Sequence, residues 1–411
     1  MTRRTLCIIA VAAAGCAPVL NPPLSSQTGG IAPASTGAYR VLYSFAGYPS
    51  GTGPTGLTYF SDAFYGTTTD GGTNTYGTVF RRTATRTQIL YNFKAGTDGS
   101  GPSGVLLPHS GKLYGLTEYG GPKGDGTVFI VGPTGGERVI YGFKGGSDGA
   151  APILGGLLAS GSTFYGLTSA GGDSTCQING NVGCGIVFSL TPSGTETVLH
   201  RFSGKPDGAY PVGSLINVAG TLYGTTSAGG RYDAGCVFEI STGGSERVLY
   251  SFKGFPDGEL PYAGVTDVGG TLYGTTALGG AYDDSGTVYS LAASGAEKVL
   301  HSFTGYPDGA VPYSALTAVG GVLYGTTEFG GKRLQRCIGN GVIGCGVVFS
   351  VTTSGDEHVV YRFKGNPDGS MPWAALISAK GELYGSTIAG GAHNKGSLYA
   401  LGIGSATVSK E

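Results

Sequence analysis

The amino-acid sequence predicts an all-β fold, a seven-bladed β-propeller made of four-stranded antiparallel blades. Three observations predict it: a glycine-rich and charge-poor composition, a unit of roughly 50 residues that occurs seven times, and four short β-type runs within each unit. A single four-stranded sheet cannot cover its two apolar faces, whereas blades packed in a ring cover one another.

The composition excludes several other classes of protein. Gly accounts for 80 of the 411 residues and charged residues for 12%, which does not suit a long-helix protein or a coiled coil. Gly does not recur at every third position, so a collagen helix is excluded. Hydrophobic residues make up 40% of the chain, which argues against disorder. The formal net charge of −1 gives no electrostatic footprint for nucleic acid.

The repeated unit begins with a Tyr-Gly-Thr-like tripeptide. A Gly-Gly pair follows it, then a Gly-Thr-Val-Phe-like strand, and a Val-Leu-Tyr-Ser-Phe-like strand closes six of the units. In the fifth unit the β-type runs are roughly 263–268, 271–276, 286–291 and 297–303, with turn residues between them. The seven tripeptides begin at Tyr65, Tyr114, Tyr165, Tyr223, Tyr273, Tyr324 and Tyr384.

The two ends of the repeat region complete one blade. The seventh unit has only three strands, and the missing strand type occurs at the other end of the chain, over residues 39–45. From Arg40 onward this segment has the same letters as the run from Arg247 to Phe252. We therefore expect residues 39–45 to pair with the last blade and close the ring, which removes exposed sheet edges. An open solenoid is the alternative.

The repeat resembles the GloVer-type tandem repeat of exported bacterial proteins, over residues 39 to 401. The resemblance implies an exported β-propeller, and it carries no activity, cofactor or site residue over to this chain.

The N-terminus is predicted to direct export. Arg3 and Arg4 precede an apolar run over 6–14, which is too short to span a bilayer and is typical of a signal peptide. Ala13-Ala14-Gly15-Cys16 resembles a bacterial lipobox, in which the cysteine is acylated, although Ala13 stands where Leu is usual. The alternative is an ordinary signal peptide that is cut nearby.

The chain is therefore divided into a signal peptide (1–16), a flexible tether rich in Pro, Ser, Gly and Thr (17–38), a propeller (39–402) and a C-terminal tail (403–411). We expect an outer-membrane or cell-surface lipoprotein whose membrane contact is the N-terminal lipid. If Cys16 is not acylated, the protein is periplasmic or extracellular.

One face of the propeller is predicted to carry function. With the strands of a blade lettered a to d, the a–b and c–d turns are short and share one face, while the longer b–c and d–a loops share the other. Binding sites lie on long loops that a rigid scaffold holds.

Four cysteines are predicted to form disulfides within two enlarged b–c loops. Cys176 pairs with Cys184 and Cys337 with Cys345, as suits an exported protein. A metal site is the rival interpretation, but neither loop offers a nearby histidine. Cys236 replaces a strand Thr and is expected to be a buried free thiol.

Neither the acidic nor the histidine pattern predicts a metal ion, and no cofactor is expected. The loop that follows the d strand contributes one Asp in each of six blades, whereas a calcium loop supplies several oxygens. These six aspartates are therefore predicted to cap tight turns. The five histidines do not cluster in sequence, although His200 and His301 both replace a d-strand Tyr. An Asp-Gly pair ends the d strand in six blades, at Asp98, Asp148, Asp207, Asp257, Asp308 and Asp368.

Aromatic residues in the d–a loops of the later blades are the binding candidates: Phe255, Tyr262, Tyr306, Tyr313 and Trp373. Rings on one arc suit stacking on sugars or peptide side chains, and the alternative is that they pack between blades. The leading hypothesis is a non-catalytic, monomeric binding module for an extracellular glycan or an envelope protein.

Two alternative functions remain open. A polysaccharide-active enzyme would use b–c loop carboxylates such as Asp233, Asp283, Asp284 or Glu328, but no catalytic residue is assigned, because sequence does not give the distance between two carboxylates. A purely structural envelope protein would bury the aromatic arc.

Overall fold

The computed structural model describes residues 36–178, 181–282, 284–332, 334, 337–339 and 342–403. These residues form seven four-stranded antiparallel sheets in a ring, which confirms the predicted seven-bladed β-propeller. The predicted signal peptide, Cys16, nearly all of the predicted tether, Asp283 and the tail from residue 404 lie outside the described residues.

Each blade orders its strands a-b-c-d. The a strands are Thr52–Phe60, Ser100–His109, Leu158–Ser160, Gly208–Val218, Thr266–Val268, Thr317–Val319 and Ile377–Ala379. The b strands are Ala63–Asp70, Lys112–Tyr119, Thr163–Thr168, Thr221–Gly229, Thr271–Thr276, Val322–Thr327 and Glu382–Thr387. The c strands are Thr78–Arg82, Thr127–Gly132, Ile186–Leu190, Cys236–Ser241, Thr287–Ala292, Val347–Thr352 and Ser397–Ile403. The d strands are Thr87–Asn92, Gly135–Gly142, Glu196–Arg201, Glu246–Ser251, Glu297–Ser302, Glu357–Arg362 and, for blade 7, Thr36–Ser44.

Short elements occupy the loops. Two 3-10 turns lie in d–a loops, at Gly96–Asp98 and Gly146–Asp148. Three two-residue ladders pair Gln177–Ile178 with Asn181–Val182, Gly258–Glu259 with Leu278–Gly279, and Ile338–Gly339 with Val342–Ile343.

The N-terminal strand closes the ring as predicted. Val41 lies opposite Tyr399 and Ser44 opposite Ser397 in an antiparallel ladder. The backbone N–H of Phe45 then donates to the Gly396 carbonyl at 2.9 Å. The strand begins at Thr36, so the first residues of the propeller come from the segment that the sequence assigned to the tether.

One predicted strand is shorter than expected. In blade 5 the run 263–268 pairs with the b strand only over Thr266–Val268. Upstream of it Leu260 adopts a left-handed backbone with φ 56°. Pro261 follows; blade 4 has the same arrangement at Tyr210 and Pro211, yet its a strand is continuous over Gly208–Val218.

The a strands converge on the axis, where glycine permits close contact between blades. A Cβ at Gly104 would overlap the carbonyl of Gly155, and a Cβ at Gly155 would overlap the carbonyl of Gly213. The backbones of successive a strands are therefore in direct contact, which sets the radius of the ring.

An edge-to-face aromatic pair joins every blade to the next. The Phe after each d strand meets the aromatic ring that is central to the next blade's c strand. The ring centroids are 5.0–5.3 Å apart, at interplanar angles of 62–72°. All these rings are fully buried. The pairs are Phe45–Phe80, Phe93–Phe129, Phe143–Phe188, Phe202–Phe238, Phe252–Tyr289, Phe303–Phe349 and Phe363–Tyr399.

The Thr of the Tyr-Gly-Thr tripeptide adds a polar link between blades. Thr225 Oγ1 donates to the Ala263 carbonyl at 2.9 Å, and Thr275 Oγ1 donates to the Ser314 carbonyl at 3.1 Å. Both acceptors belong to the a-strand segment of the following blade. The hydroxyl thus satisfies a buried carbonyl that the short a-strand ladders leave unpaired.

The turn aspartates lie at the outer edge of the blade junctions. In a representative junction, Asp257 accepts from the Lys253 backbone N–H at 3.1 Å and from the Tyr250 hydroxyl at 2.8 Å. The same hydroxyl is 3.3 Å from Glu297 of the next blade. Each of the six turn aspartates accepts a hydrogen bond from the backbone N–H of the residue four positions before it.

A glutamate of the neighbouring blade faces the turn aspartate at five junctions, and burial raises its pKa. Burial, followed by the nearby Asp98, raises the pKa of Glu137 to about 8. Burial, followed by Asp257, raises the pKa of Glu297 to about 7. Two carboxyl groups at one partly buried junction favour the protonated form of one of them.

Ring closure can be tested by removing one aromatic ring. Phe45→Ala should lower the free energy of unfolding by about 3–5 kcal/mol, because it deletes a buried phenyl ring from the closing junction. Urea unfolding gives this value, and Phe202→Ala at an internal junction should give a similar one. The exposed Tyr48→Ala serves as the control. A Phe45→Ala protein as stable as the control would contradict the closure of the ring.

The junction glutamates should make stability fall as pH rises. The folded-state pKa of Glu297 lies above its ordinary value of 4.5, so its stabilising contribution is full below pH 4.5 and is lost as pH rises through about 7. Glu297→Gln should therefore lose less stability than the wild type between pH 5 and 9. The difference should be on the order of 1 kcal/mol, allowing for solvent screening.

Urea unfolding at several pH values measures this effect, and Glu239→Gln, at a partly exposed glutamate that pairs with Arg247, is the control. Parallel pH profiles for Glu297→Gln and the wild type would show that Glu297 does not bind its proton more tightly in the folded protein.

Candidate functional site

The b–c and d–a loops form one connected face. The second Gly of each Gly-Gly pair donates its N–H to a carbonyl of the preceding d–a loop. Gly121 donates to Gly96 at 2.7 Å, and Gly331 donates to Gly305 at 3.0 Å. Both members of each pair have a positive φ, which glycine adopts at little cost. The repeat therefore fixes its long loops to one another as well as to the sheet.

Aromatic side chains are exposed on this face. Among the described residues, every large aromatic side chain that is exposed belongs to a b–c or d–a loop or to the strand end beside one. Phe255 and Tyr306 are 69% and 53% exposed. The full set is Tyr48, Tyr76, Tyr119, Tyr232, Phe255, Tyr282 and Tyr306.

The predicted aromatic arc divides into two groups. Tyr262, Tyr313 and Trp373 form a continuous row, with centroid distances of 5.0 Å and 5.4 Å. Tyr262 is buried, and the other two rings are partly buried. Phe255 and Tyr306 stand apart from this row, at the tips of their loops.

The row packs against an apolar cluster that several blades supply. Tyr262 belongs to this cluster together with Tyr210, Val311 and Phe329, and Tyr313 packs against it. Packing between blades, the alternative interpretation of the arc, therefore describes Tyr262 well. The exposed aromatic loop tips are the part of the arc that is open to a large ligand.

Glu328 is buried beside this row. Burial raises its pKa to about 8, and the Trp373 indole opposes that rise. The Trp373 Nε1 nevertheless has no hydrogen bond of ordinary geometry to any described residue. No other described carboxylate contributes to this rise in the pKa of Glu328.

The other candidate carboxylates lie in exposed loops. Asp233 and Asp284 occupy the b–c loops of blades 4 and 5. Burial raises the pKa of Glu259, and the charges of Asp284 and Asp233 raise it further, so each aspartate lies near Glu259. Asp283 lies outside the described residues.

A cavity adjoins Tyr306. It has a volume of about 300 Å³ and is lined by that ring together with Pro307, Gly331, Lys332, Arg362 and Lys364. The Arg362 Nε donates to the Pro307 carbonyl at 3.3 Å, which fixes the guanidinium at the wall. Three cationic side chains and one exposed ring thus line a single cavity.

The predicted cysteine pairs lie at disulfide distance. The Cα–Cα distances are 5.7 Å for Cys176 and Cys184 and 5.0 Å for Cys337 and Cys345. Each pair closes an enlarged b–c loop. Cys236 is a buried free thiol, and burial raises its pKa to about 12.

Two groups of described residues could hold a metal ion. Each combines a d-strand histidine, the turn aspartate of the same blade and a glutamate of the next blade. The groups are His200, Asp207 and Glu246, and His301, Asp308 and Glu357.

Sequence reasoning missed these groups and most of the exposed tyrosines, although both have a recognisable pattern. His200 stands seven residues before Asp207 (His301 and Asp308 repeat this spacing), as tyrosines do in other blades. The loop tyrosines Tyr232 and Tyr282 each follow a Gly-Gly pair at the second position.

Several solved structures resemble the fold. The computationally designed protein Ika8 matches at 12% identity and a TM-score of 0.48, over 87% of this chain and 99% of its own. A gluconolactonase from Xanthomonas campestris matches at 12% identity and a TM-score of 0.43, over 89% of each chain. A luciferin-regenerating enzyme matches at 14% identity and a TM-score of 0.44, over 80% of this chain and 98% of its own.

No curated protein matches this chain. Within the described residues, no helix has the length and apolar character that crossing a membrane requires.

The Gloeobacter/Verrucomicrobia repeat family matches residues 28–176 and 174–343, a span that covers most of the chain. The tandem units of this sequence are the repeats of that family, and the chain belongs to it.

Proposed function

We propose that this protein is an exported, lipid-anchored binding module whose b–c/d–a face takes an extracellular glycan. The observation that carries the proposal is the restriction of exposed aromatic side chains to that face. An exposed aromatic ring makes few apolar contacts with the protein, and stacking on a sugar ring would supply such contacts. Several exposed rings that share one face of a fold are typical of a binding surface.

The cavity beside Tyr306 supports an acidic glycan. Lys332, Arg362 and Lys364 supply positive charge, and the Tyr306 ring forms one wall of the same cavity. A guanidinium pairs with a carboxylate or a sulfate through charge-assisted hydrogen bonds. A polysaccharide that carries uronic acid or sulfate groups satisfies both features.

Binding has more support than hydrolysis. Glu328 is buried, and no described carboxylate is close enough to shift its pKa. A glycosidase needs two carboxyl groups about 5–10 Å apart across a cleft. Asp233 and Asp284 each lie near Glu259, so release of reducing sugar should be measured together with binding.

The aromatic loop tips should determine affinity. Phe255→Ser combined with Tyr306→Ser should weaken binding of an acidic polysaccharide about tenfold or more, because two stacking rings are lost. Isothermal titration calorimetry against acidic and neutral polysaccharides measures the change, and Trp373→Ala tests the partly buried row separately. Tyr59→Ala is the matched control, because Tyr59 precedes an a–b turn on the opposite face.

The proposed glycan function fails if the double variant binds as tightly as the wild type, or if the wild type binds no polysaccharide and instead retains an envelope protein. Release of reducing sugar by the wild type would favour the enzyme alternative.

Export rests on separate support. Two cysteine pairs at disulfide distance suit an oxidising location. The N-terminal sequence has the order of a lipoprotein signal: basic residues, a short apolar run and then Cys16. A lipid on that cysteine would hold the propeller at the membrane through the tether.

The anchor can be tested at a single residue. Cys16→Ser should move the protein from the membrane fraction to the soluble fraction, because the substitution removes the acylated thiol. Cell fractionation with immunoblotting measures the shift, and Cys236→Ser is the control for loss of an unrelated thiol. A wild-type protein that is already soluble would contradict the lipid anchor.

A further inference from the structure

Two blade junctions carry histidine where the comparable junctions carry tyrosine. His200 and His301 contact the turn aspartate of their own blade, as Tyr250 contacts Asp257 elsewhere. The remaining tyrosine junctions have Tyr91, Tyr141 and Tyr361 at this position. A hydroxyl that donates one hydrogen bond is thus replaced by a ring nitrogen that can bind a metal ion.

The three ligand atoms at each junction converge. His200 Nε2 is 3.1 Å from Asp207 Oδ2 and 3.9 Å from Glu246 Oε2. At the second junction, His301 Nε2 is 3.0 Å from Asp308 Oδ2. In both groups all the ligand atoms lie within 4.8 Å of one another. Two ligands that bind one Zn²⁺ through bonds of about 2.1 Å stand about 3.4 Å apart in tetrahedral geometry, so the observed separations need only small adjustments.

The glutamate at each histidine junction has one buried oxygen, Oε1, without a hydrogen-bond partner among the described residues, and so do Glu137, Glu196 and Glu297 at other junctions. The Glu246 side chain is only 10% exposed, and its buried Oε1 receives no hydrogen bond from a described residue. At the second junction, Glu357 Oε1 likewise receives no hydrogen bond from a described residue. In a tyrosine junction the Tyr250 hydroxyl lies within hydrogen-bonding distance of Glu297. His200 Nε2 is 3.9 Å from Glu246 Oε2, too far to supply that bond, so the histidine junction differs from the tyrosine junction at Oε2.

We propose that His200, Asp207 and Glu246 bind one divalent transition metal ion, and that His301, Asp308 and Glu357 bind a second. One imidazole with two carboxylates is a ligand set that suits Zn²⁺ or Mn²⁺. About a fifth of each histidine side chain is exposed, so water completes the coordination. The ion would supply positive charge to the two facing carboxyl groups.

Each ion would join two blades. Its histidine and aspartate come from blades 3 and 5, and its glutamate comes from the d strand of blades 4 and 6. The metal ions would therefore link two neighbouring blades at the outer edge of each junction. The aromatic pairs stabilise the inner part of the same junctions. A protonated histidine that pairs with the aspartate alone is the competing explanation, and it involves no metal.

The chain itself supplies a variant that preserves the fold. His200→Tyr and His301→Tyr recreate the junction seen at Tyr250. They remove the imidazole and keep a packing arrangement that other blades of this protein already have. His358→Tyr is the matched control, because His358 is an exposed residue beside Glu357 on the same d strand. Circular dichroism of each variant verifies that the propeller is folded.

The experiment is a metal titration of the full chain, purified without a histidine tag and treated with a chelator. Calorimetry with Zn²⁺, and separately with Mn²⁺, should give two equivalents bound for the wild type and for His358→Tyr, one for each single variant and none for His200→Tyr/His301→Tyr. Saturating metal should raise the Tm of the wild type by several degrees and leave the double variant unchanged. No binding by the wild type, or the same stoichiometry in the double variant, overturns the proposal.

Discussion

The closed propeller depends on one interaction between neighbouring blades. The phenylalanine that follows each d strand makes an edge-to-face contact with an aromatic side chain in the c strand of the next blade. It occurs at all seven junctions, including the one where Phe45 of the N-terminal strand joins blade 7 to Phe80 of blade 1. Both aromatic side chains are fully buried at every junction. The apolar side chains of each blade are therefore shielded from water only when the next blade packs against them. The repeat therefore selects a closed circle over an open stack.

The functional face depends on the same scaffold. The Gly-Gly pairs bind b–c loops to d–a loops through backbone hydrogen bonds. Their aromatic residues can then point outward, as Phe255 and Tyr306 do. Rigidity that comes from the backbone leaves the side chains available for a ligand.

The candidate sites were only partly predictable. The sequence identified Phe255 and Tyr306 because they are aromatic residues in long loops, and it gave the cysteine pairs by their spacing. It could not separate the exposed Phe255 from the buried Tyr262, since both belong to the same d–a segment. The His200 group was missed because Glu246 comes from another blade, and only the packing of d strands brings that glutamate to the histidine.

The sequence by itself determined the number of blades, the order of their strands and the closure by the N-terminal strand. These features follow from a local period and from the need of each apolar face for a cover. The tertiary structure decided which aromatic rings reach solvent, where the short a-strand ladders begin and which charged groups meet at a junction. Each of these depends on side-chain direction and on contacts between residues of different blades, and neither is encoded in the spacing of a repeat.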